Sequence, residues 1–207
     1  MASRNLILAS ASPRRRELLS LLDIPFTVVP ADISEEPLPR EKPEALVLRL
    51  AEDKARAVSR LAPEALVIAA DTIVVLEAPG PAQILGKPAD APDAVKMLSL
   101  LQGQEHTVLT GFCLLSHSAK VFRSRVVSTK VRMKTLTAAE IEAYVATGEP
   151  LDKAGAYAVQ GRGATFIEAV YGSYTNVVGL PMAELFDDLR DIEHLLPGGL
   201  PGLDVAR

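Results

Sequence analysis

An aspartate stands in the middle of an apolar run of the sequence. Residues 66–77 read LVIAADTIVVLE, and Asp71, followed by Thr72, interrupts the β-branched residues typical of a buried strand. An ionised carboxylate in such surroundings is costly unless something pairs with it. We expect Asp71 to be either a structural carboxylate that caps neighbouring backbone, or a metal ligand or general base. A bend after VIAAD would place it at the carboxyl end of a strand, where open α/β sheets bind ligands.

Basic residues fill the first turn of the first predicted helix. The segment SPRRREL offers Ser12 as an N-cap and Pro13 at the first helical position. Arg14, Arg15 and Arg16 then occupy a turn where the helix dipole favours acidic residues. A bound anion reverses that preference, because free backbone N–H groups and guanidinium groups both suit phosphate. A solvated basic surface turn is the alternative. We favour the anion site, with Arg16 directed away from it.

A lysine occupies the apolar face of a long helix predicted for residues 43–62. Lys54 falls at the centre of a stripe of apolar residues at 3.6-residue spacing, whereas the other face is charged. Its ammonium group must either extend to solvent or meet a negative partner. Because Lys54 is far from both ends of the helix, we expect a buried partner such as Asp71 or a phosphate.

Further polar candidates lie in a segment that contains several glycines. Residues 149–166 read EPLDKAGAYAVQGRGATF, and we expect them to be ordered but irregular. Lys153 and Gln160 stand among glycines, which let the backbone approach a ligand closely. The glycine spacing matches neither a Rossmann fingerprint nor a Walker A loop. Lys87, in LGKPAD, is held extended by the proline that follows it.

The composition excludes several other kinds of site. The 207 residues include one cysteine, Cys113, and three histidines without HExxH spacing. A disulfide within the chain and a cysteine-based zinc site are therefore excluded, and we expect Cys113 in the apolar core. The basic candidates and a few carboxylates suit a polyphosphate carried by Mg²⁺ or Mn²⁺. The carboxylates besides Asp71 are Asp32, Glu35 and Glu36.

The charge balance and the apolar stretches indicate the surroundings of the protein. A net charge of −4 argues against a general nucleic-acid coat, so we expect no nucleic-acid partner. No apolar run reaches the length of a signal peptide or a membrane span. The single cysteine points to a reducing setting, so we expect a cytoplasmic protein, and the short apolar runs indicate no membrane partner.

The pattern of elements predicts an α/β fold with a mixed sheet. A two-lobed body that shares one sheet is expected over residues 1–196, with a flexible Pro/Gly-rich tail at 197–207. Helices are predicted at 12–23, 43–62, 93–103, 137–148 and 180–196. Strands are predicted at 5–10, 26–30, 65–77 and 165–172, with a hairpin of 105–117 and 120–134; the strand at 65–77 is either continuous or two strands joined by a bend.

The sequence resembles the Maf family (septum formation inhibitor Maf) of nucleoside triphosphate pyrophosphatases through most of its length. The motifs that carry the resemblance are LILASASPRRRELL, RLAEDKA, VIAADTIVVL, ILGKPADAPDAVKML, TGEPLDKAGAYAVQGRGATFI and GSYTNVVGLP. The resemblance implies an elongated Maf/ITPase-like fold with two lobes flanking a deep cleft, and a homodimer. It also implies cleavage of a nucleoside triphosphate to the monophosphate and pyrophosphate with a divalent metal, Mg²⁺ or Mn²⁺.

The resemblance also implies roles for individual residues. Asp71 matches the catalytic aspartate of the family's ADT-type motif, and Glu35 matches its acidic metal-site residue, with Glu36 as the alternative. The phosphate-binding basic residues match Lys54 and Lys87, which we assign to catalysis, together with Arg14 and Arg15.

Three positions match the subgroup that acts on dTTP and UTP: Arg14, Thr72 and Gln160. A sister subgroup that prefers 7-methyl-GTP differs at such positions. We expect Ser10 and Ser12 at the strand-to-helix turn, and Lys153, to contact the substrate as well. Two alternatives stay open. One is a non-catalytic nucleotide-binding regulator of septum formation, and the other is a house-cleaning hydrolase for modified nucleotides.

Overall fold

Helices and strands alternate along most of this computed structural model, which describes residues 5–77 and 82–200. The predicted tail lies outside these residues from 201 onward. The helices are α1 (Pro13–Ser20), α2 (Pro43–Leu61), α3 (Ala91–Leu101), α4 (Ala138–Val145), α5 (Tyr174–Val178) and α6 (Met182–Arg190). The strands are β1 (Leu6–Leu8), β2 (Phe26–Val28), β3 (Leu66–Leu76), β4 (Gln83–Leu85), β5 (Glu105–Ser116), β6 (Val121–Met133) and β7 (Ile167–Tyr171).

Three of the helices have a side-chain N-cap at their first turn. The hydroxyl of Ser12 accepts a hydrogen bond from the N–H three residues later and caps α1, as expected. Asp90 caps α3 in the same way. Thr137 and Glu140 form a reciprocal capping box at the start of α4. These side chains satisfy N–H groups that the first turn of a helix leaves unpaired.

The seven strands form one mixed sheet, which confirms the predicted fold class. The strand order is β2-β1-β3-β5-β6-β7, and β4 pairs with β3. β1 is parallel to β2 and to β3, whereas β4 is antiparallel to β3 and β7 is antiparallel to β6. The predicted hairpin is present as β5 and β6, within one residue of each predicted bound.

The strand that carries Asp71 is continuous from Leu66 to Leu76, so the alternative of two strands joined by a bend is wrong. Asp71 therefore lies inside its own strand rather than at its end. The neighbouring strand is much shorter: β1 ends at Leu8, which is paired with Ile68 in parallel register. Because β1 ends at this level, Asp71 lies just beyond the carboxyl end of a parallel strand, where ligands are expected. That end belongs to the neighbouring strand β1, and not to the strand that carries Asp71.

The C-terminal part of the chain differs from prediction in two elements. The last helix ends at Arg190 and is followed by a 3₁₀ turn, Glu193–Leu195, whereas a helix over 180–196 was expected. The short helix α5 was not predicted, because Gly172 and Gly179 enclose too few residues to show helical periodicity. Contacts distant in sequence hold α5, among them two hydrogen bonds from Asn176.

The chain divides into two compact units, and β3, β5 and β6 each contribute to both. The first unit comprises the residues up to Asp71, Gly111–Val126, and those from Gly179 onward; the second comprises Thr72–Thr110 and Val127–Val178. In the first, α2 packs residues such as Ala51, Ala55 and Val58 against apolar residues of the strands. In the second, α3 and α4 contribute residues such as Leu98, Leu101 and Ile141 to the core.

Candidate functional site

Three charged side chains of the first unit meet at one ammonium group. Lys54 Nζ lies 2.6 Å from Asp71 Oδ1 and 2.6 Å from Glu35 Oε1. Lys54 and Asp71 are each 7% exposed, whereas the side chain of Glu35 is 55% exposed. Lys54 therefore does not extend to solvent. Its charge compensates the buried carboxylate of Asp71, which would be costly to bury unpaired.

Three elements bring this cluster together. Lys54 stands in the middle of the 19-residue helix α2, on the face that is buried. Asp71 comes from β3, just past the level at which β1 ends. Glu35 comes from the loop between β2 and α2. A strand, a helix and a loop thus place one cation and two anions within hydrogen-bond distance.

An ion pair between Arg49 and Glu41, which no sequence pattern predicts, connects the loop that carries Glu35 to α2. Arg49 donates from Nε to Glu41 Oε1 (2.6 Å) and from Nη2 to Glu41 Oε2 (2.8 Å). A further hydrogen bond runs from Arg49 Nη2 to the carbonyl of Glu36 (3.1 Å). The hydrogen bonds from Arg49 lower the pKa of Glu41 to about 2. The two residues are eight apart, across a helix start, so no sequence pattern marks them as a pair.

Arg15 links the start of α1 to the backbone beside Asp71. Its Nη1 donates to the carbonyl of Ala70 at 2.7 Å and to Ser10 Oγ at 3.3 Å, and its Nε donates to the carbonyl of Gly179 at 2.7 Å. Burial lowers the pKa of Arg15, while the negative charge of Asp71 raises it. Arginine titrates so far above neutral pH that the guanidinium stays charged. Arg15 is therefore both a backbone tie and a fixed positive charge next to Asp71.

The remaining candidates of the first unit lie at the same strand-to-helix turn. Ser10 is buried, and its hydroxyl accepts hydrogen bonds from the N–H of Ser12 and from Arg15. Arg14 is half-buried, whereas Arg16 is exposed, as expected for the residue directed away. The structure thus brings Ser10, Arg15, Lys54, Glu35 and Asp71 together around the end of β1.

In the second unit, Thr72 begins a chain of polar contacts. Its hydroxyl lies 2.9 Å from that of Thr110, which is buried and donates to the carbonyl of Asn176 at 3.2 Å. The side-chain amide of Asn176 in turn donates to the carbonyl of Val108 and to Thr129 Oγ1. Thr72 is therefore positioned by a buried network rather than by its strand alone.

The other candidates of the second unit have different surroundings. Lys153 Nζ donates to the carbonyl of Glu149 at 2.6 Å and to Asp152 Oδ1 at 2.5 Å. Lys87 is exposed, and Gln160 is partly exposed at the start of a 3₁₀ turn. The ammonium group of Lys153 is thus engaged with its own chain segment, while Lys87 faces solvent.

The carboxylates fit a divalent cation only if the substrate supplies further ligands. Within residues 5–77 and 82–200, no group of three or more His, Cys, Asp or Glu side chains could hold a metal. Glu35 and Asp71 contact the same ammonium group, so their two oxygens are separated by no more than twice 2.6 Å. Mg²⁺ is commonly bound by one or two carboxylates together with phosphate oxygens. Glu35 is the residue that shares the ammonium group of Lys54 with Asp71.

None of the described helices is long and apolar enough to span a membrane.

Cys113 is fully buried, as expected, and burial raises the pKa of its thiol to about 12. A thiol with so high a pKa is a poor nucleophile at neutral pH.

Comparisons with known proteins identify the family of the chain. A family model described as Maf-like protein matches residues 5–192. A protein named dTTP/UTP pyrophosphatase from Geobacter sp. (strain M21) is 52% identical over 192 residues, which cover 93% of this chain and 97% of the relative. A protein of the same name from Anaeromyxobacter dehalogenans (strain 2CP-C) is 51% identical over 203 residues, which cover 97% and 100%. The chain belongs to the Maf-like protein family.

Proposed function

We propose that this protein is a nucleoside triphosphate pyrophosphatase that hydrolyses dTTP and UTP to the monophosphate and pyrophosphate. The cluster of Lys54, Asp71 and Glu35, with Arg15 beside it, carries the proposal. The relatives named dTTP/UTP pyrophosphatase, which are about half identical to the chain, support the same reaction and the same bases.

The charge pattern suits attack of water on a phosphorus atom. Asp71, held beside Lys54, accepts a proton from a water molecule, whose oxygen forms a bond to the α-phosphorus. The bond from that phosphorus to the bridging oxygen breaks, and pyrophosphate leaves with the electron pair. The cations Arg14, Arg15, Lys54 and Lys87 stabilise the charge on the phosphates, which is the main requirement of phosphoryl transfer. Ser10, Ser12 and Lys153 are proposed further contacts to the substrate.

A divalent cation, Mg²⁺ or Mn²⁺, is the proposed cofactor. Glu35 and Asp71 would hold it together with the phosphates, and it would neutralise negative charge on them.

Thr72 and Gln160, together with Arg14, are the proposed determinants of base preference. The amide of Gln160 has both a donor and an acceptor, which suits the O4 and N3–H groups of uracil and thymine.

Replacing Asp71 by asparagine tests the catalytic role. We expect Asp71→Asn to lower kcat by about 10²- to 10⁴-fold, because a general base is lost while the shape of the side chain is kept. Nucleotide binding, measured by calorimetry, should remain. Asp187→Asn, in an exposed carboxylate of α6, is the matched control and should keep wild-type turnover.

The assay should follow pyrophosphate and orthophosphate separately over a panel of natural and modified triphosphates with Mg²⁺ or Mn²⁺. Near-normal turnover by Asp71→Asn would contradict the role of Asp71, and release of single phosphate would contradict attack at the α-phosphorus.

A role in septum formation stays a hypothesis: it requires that the inactive variant still block division in cells. A homodimer and a cytoplasmic location also stay predictions, the former open to light scattering.

A further inference from the structure

Glu149 accepts three hydrogen bonds from outside its own turn. It follows α4 as the first residue of a 3₁₀ turn, and it is half-buried. Its Oε1 accepts from the N–H of Gly163 (2.9 Å) and from the hydroxyl of Tyr144 (2.9 Å), and its Oε2 accepts from the N–H of Arg162 (3.1 Å). Two successive backbone donors at the start of the 3₁₀ turn Gly161–Phe166 thus point at one carboxylate. Such charge-assisted hydrogen bonds are among the stronger ones in proteins.

Tyr144 binds the backbone that precedes Gln160. Its hydroxyl, which donates to Glu149, also accepts a hydrogen bond from the N–H of Ala158 at 3.1 Å. Tyr144 is 4% exposed, and its ring packs edge-to-face on that of Phe166 with the centroids 5.0 Å apart. Glu149 and Tyr144 therefore hold the backbone at Ala158 on one side of Gln160 and at residues 162–163 on the other.

The glycines on either side of this contact leave room for it. A Cβ atom at Gly161, which has a φ of +67°, would lie 2.7 Å from Glu149 Oε2. A Cβ atom at Gly163 would lie 2.7 Å from Tyr144 Oη and 2.5 Å from the carbonyl oxygen of Ala158. In the sequence alone, these glycines indicate the close approach of a ligand. The structure gives them a different reason, namely the close approach of two side chains from the α4 region.

The ionised state of Glu149 suits this arrangement. Burial raises the pKa of Glu149, but the hydrogen bonds from Gly163, Arg162 and Tyr144 and the charge of Lys153 together lower it below its usual value. The carboxylate is therefore an acceptor on both oxygens at neutral pH. An amide in its place would offer one oxygen and one NH₂ group. The NH₂ group would then face at least one of the N–H donors.

We infer that Glu149 and Tyr144 form a clamp that fixes the backbone around Gln160 and so sets which bases the enzyme accepts. The inference rests on the proposed function, because it concerns the base preference of the same reaction. Gln160 carries the proposed base contact, while Glu149 and Tyr144 are positioning residues. Both ends of the short segment that carries Gln160 are fixed to these two side chains, so a change in either alters the direction of the Gln160 amide.

The test is the base preference of Glu149→Gln. We expect the ratio of kcat/KM for UTP to that for CTP to fall about tenfold, the size of effect that follows from one misdirected hydrogen bond. KM for UTP should rise while kcat changes less than about threefold, because the proposed catalytic residues are not altered. Inhibition by inorganic pyrophosphate, which has no base, should keep its wild-type strength. A merely structural defect would weaken pyrophosphate binding and all substrates alike.

Two variants accompany this measurement. Tyr144→Phe keeps the ring on Phe166 but removes the hydroxyl, so it should shift the same ratio in the same direction and keeps the test decisive if Glu149→Gln does not fold. Glu142→Gln alters an exposed carboxylate of α4 and is the matched control, which should keep the wild-type ratio.

The possible outcomes separate the two proposals. If the wild type releases no pyrophosphate from UTP or dTTP, or shows no base preference, the proposed function itself fails. If the wild type prefers UTP and both clamp variants keep its ratio, the clamp does not set base preference. A tenfold fall that is confined to the clamp variants supports the inference.

Discussion

The ammonium group of Lys54 forms ion pairs with two carboxylates that differ in burial. Asp71 is enclosed, whereas Glu35 is half exposed to solvent, yet both lie 2.6 Å from the same nitrogen. A buried ion pair contributes little net stability when it is intact, but the loss of one partner leaves a charge without compensation. Lys54 is therefore important to the folded state even before any substrate is bound.

Lys54→Met tests this at the level of stability. Methionine keeps the length and the apolar part of the side chain, but leaves Asp71 buried and close to Glu35 without the ammonium group that pairs with both. We expect the free energy of unfolding to fall by about 3 kcal/mol in urea titrations without divalent metal. The double variant Lys54→Met/Asp71→Asn should lose less, because the buried charge is gone.

The exposed Lys96 of α3 provides the control, and Lys96→Met should unfold like the wild type. Equal stability of the single and the double variant would show that Lys54 does not compensate Asp71. With Asp71→Asn measured alone as well, the coupling energy between the two substitutions follows, and it should be sizeable because the residues are in direct contact.

At the scale of elements, the position of Lys54 depends on how closely α2 approaches β5. Gly111 of β5 is buried, and a Cβ atom there would lie 2.3 Å from the carbonyl oxygen of Val47 and 2.8 Å from the backbone nitrogen of Leu48. These are backbone atoms of a helix, so they cannot move aside as the end of a side chain can. The absence of a side chain at Gly111 thus lets the helix that carries Lys54 lie against the sheet.

Gly111→Ala should therefore displace α2. We expect the free energy of unfolding to fall by about 3 kcal/mol, at the upper end for overpacking in a core, because the added carbon meets main-chain atoms. Thermal unfolding followed by circular dichroism measures the change. Gly86→Ala is the matched control, since a Cβ atom at Gly86 has no neighbour within 4 Å. If both alanine variants unfold at the same temperature, the close approach at Gly111 does not limit the packing of α2.

Elements with local determinants could be predicted from the sequence, and those with distant ones could not. The hairpin of β5 and β6 was predicted because alternation and a polar turn lie within one stretch of chain. The cap at Ser12 and the long helix α2 have equally local patterns. The five residues of α5 do not, since the hydrogen bonds of Asn176 reach strand residues far away in sequence.

The same distinction applies to the candidate site. Asp71, Lys54 and Arg15 could be identified because each breaks a local rule: a charge in a strand core, a lysine on an apolar face, an arginine in the first turn of a helix. Glu149 breaks none. It follows a glycine in a loop, where an acidic residue is ordinary, and its three donors come together only in the folded chain.

At the scale of the whole molecule, the candidate residues divide between the two units. The first unit contains the proposed base and most of the proposed phosphate contacts: Ser10, Ser12, Arg14, Arg15, Glu35, Lys54 and Asp71. The second contains Lys87 and Lys153 and two of the three proposed determinants of base preference, Thr72 and Gln160. The division means that Asp71→Asn and Glu149→Gln examine different units. Loss of turnover and loss of base preference should accordingly be separable.

The stability of the whole molecule should depend on pH through one buried histidine. His106 of β5 is 2% exposed, and its Nε2 lies 2.8 Å from the hydroxyl of Tyr157. Within the described part of the chain, its Nδ1 has no hydrogen-bond partner. Burial lowers the pKa of His106 to about 4, although the charge of Glu105 raises it slightly.

The sign of the effect follows from where the proton binds. Between pH 6.5 and about 4 the unfolded chain takes up a proton at His106 that the folded protein does not, so the free energy of unfolding falls as the pH falls. Between pH 7 and pH 4.5 the free energy of unfolding should fall by about 2 kcal/mol less in His106→Gln than in the wild type, at 1.36 kcal/mol per pKa unit. Urea unfolding of both proteins at the two pH values measures the difference. His117→Gln, at an exposed histidine, should leave the loss unchanged, and an equal loss in all three proteins would place the pH dependence on other groups.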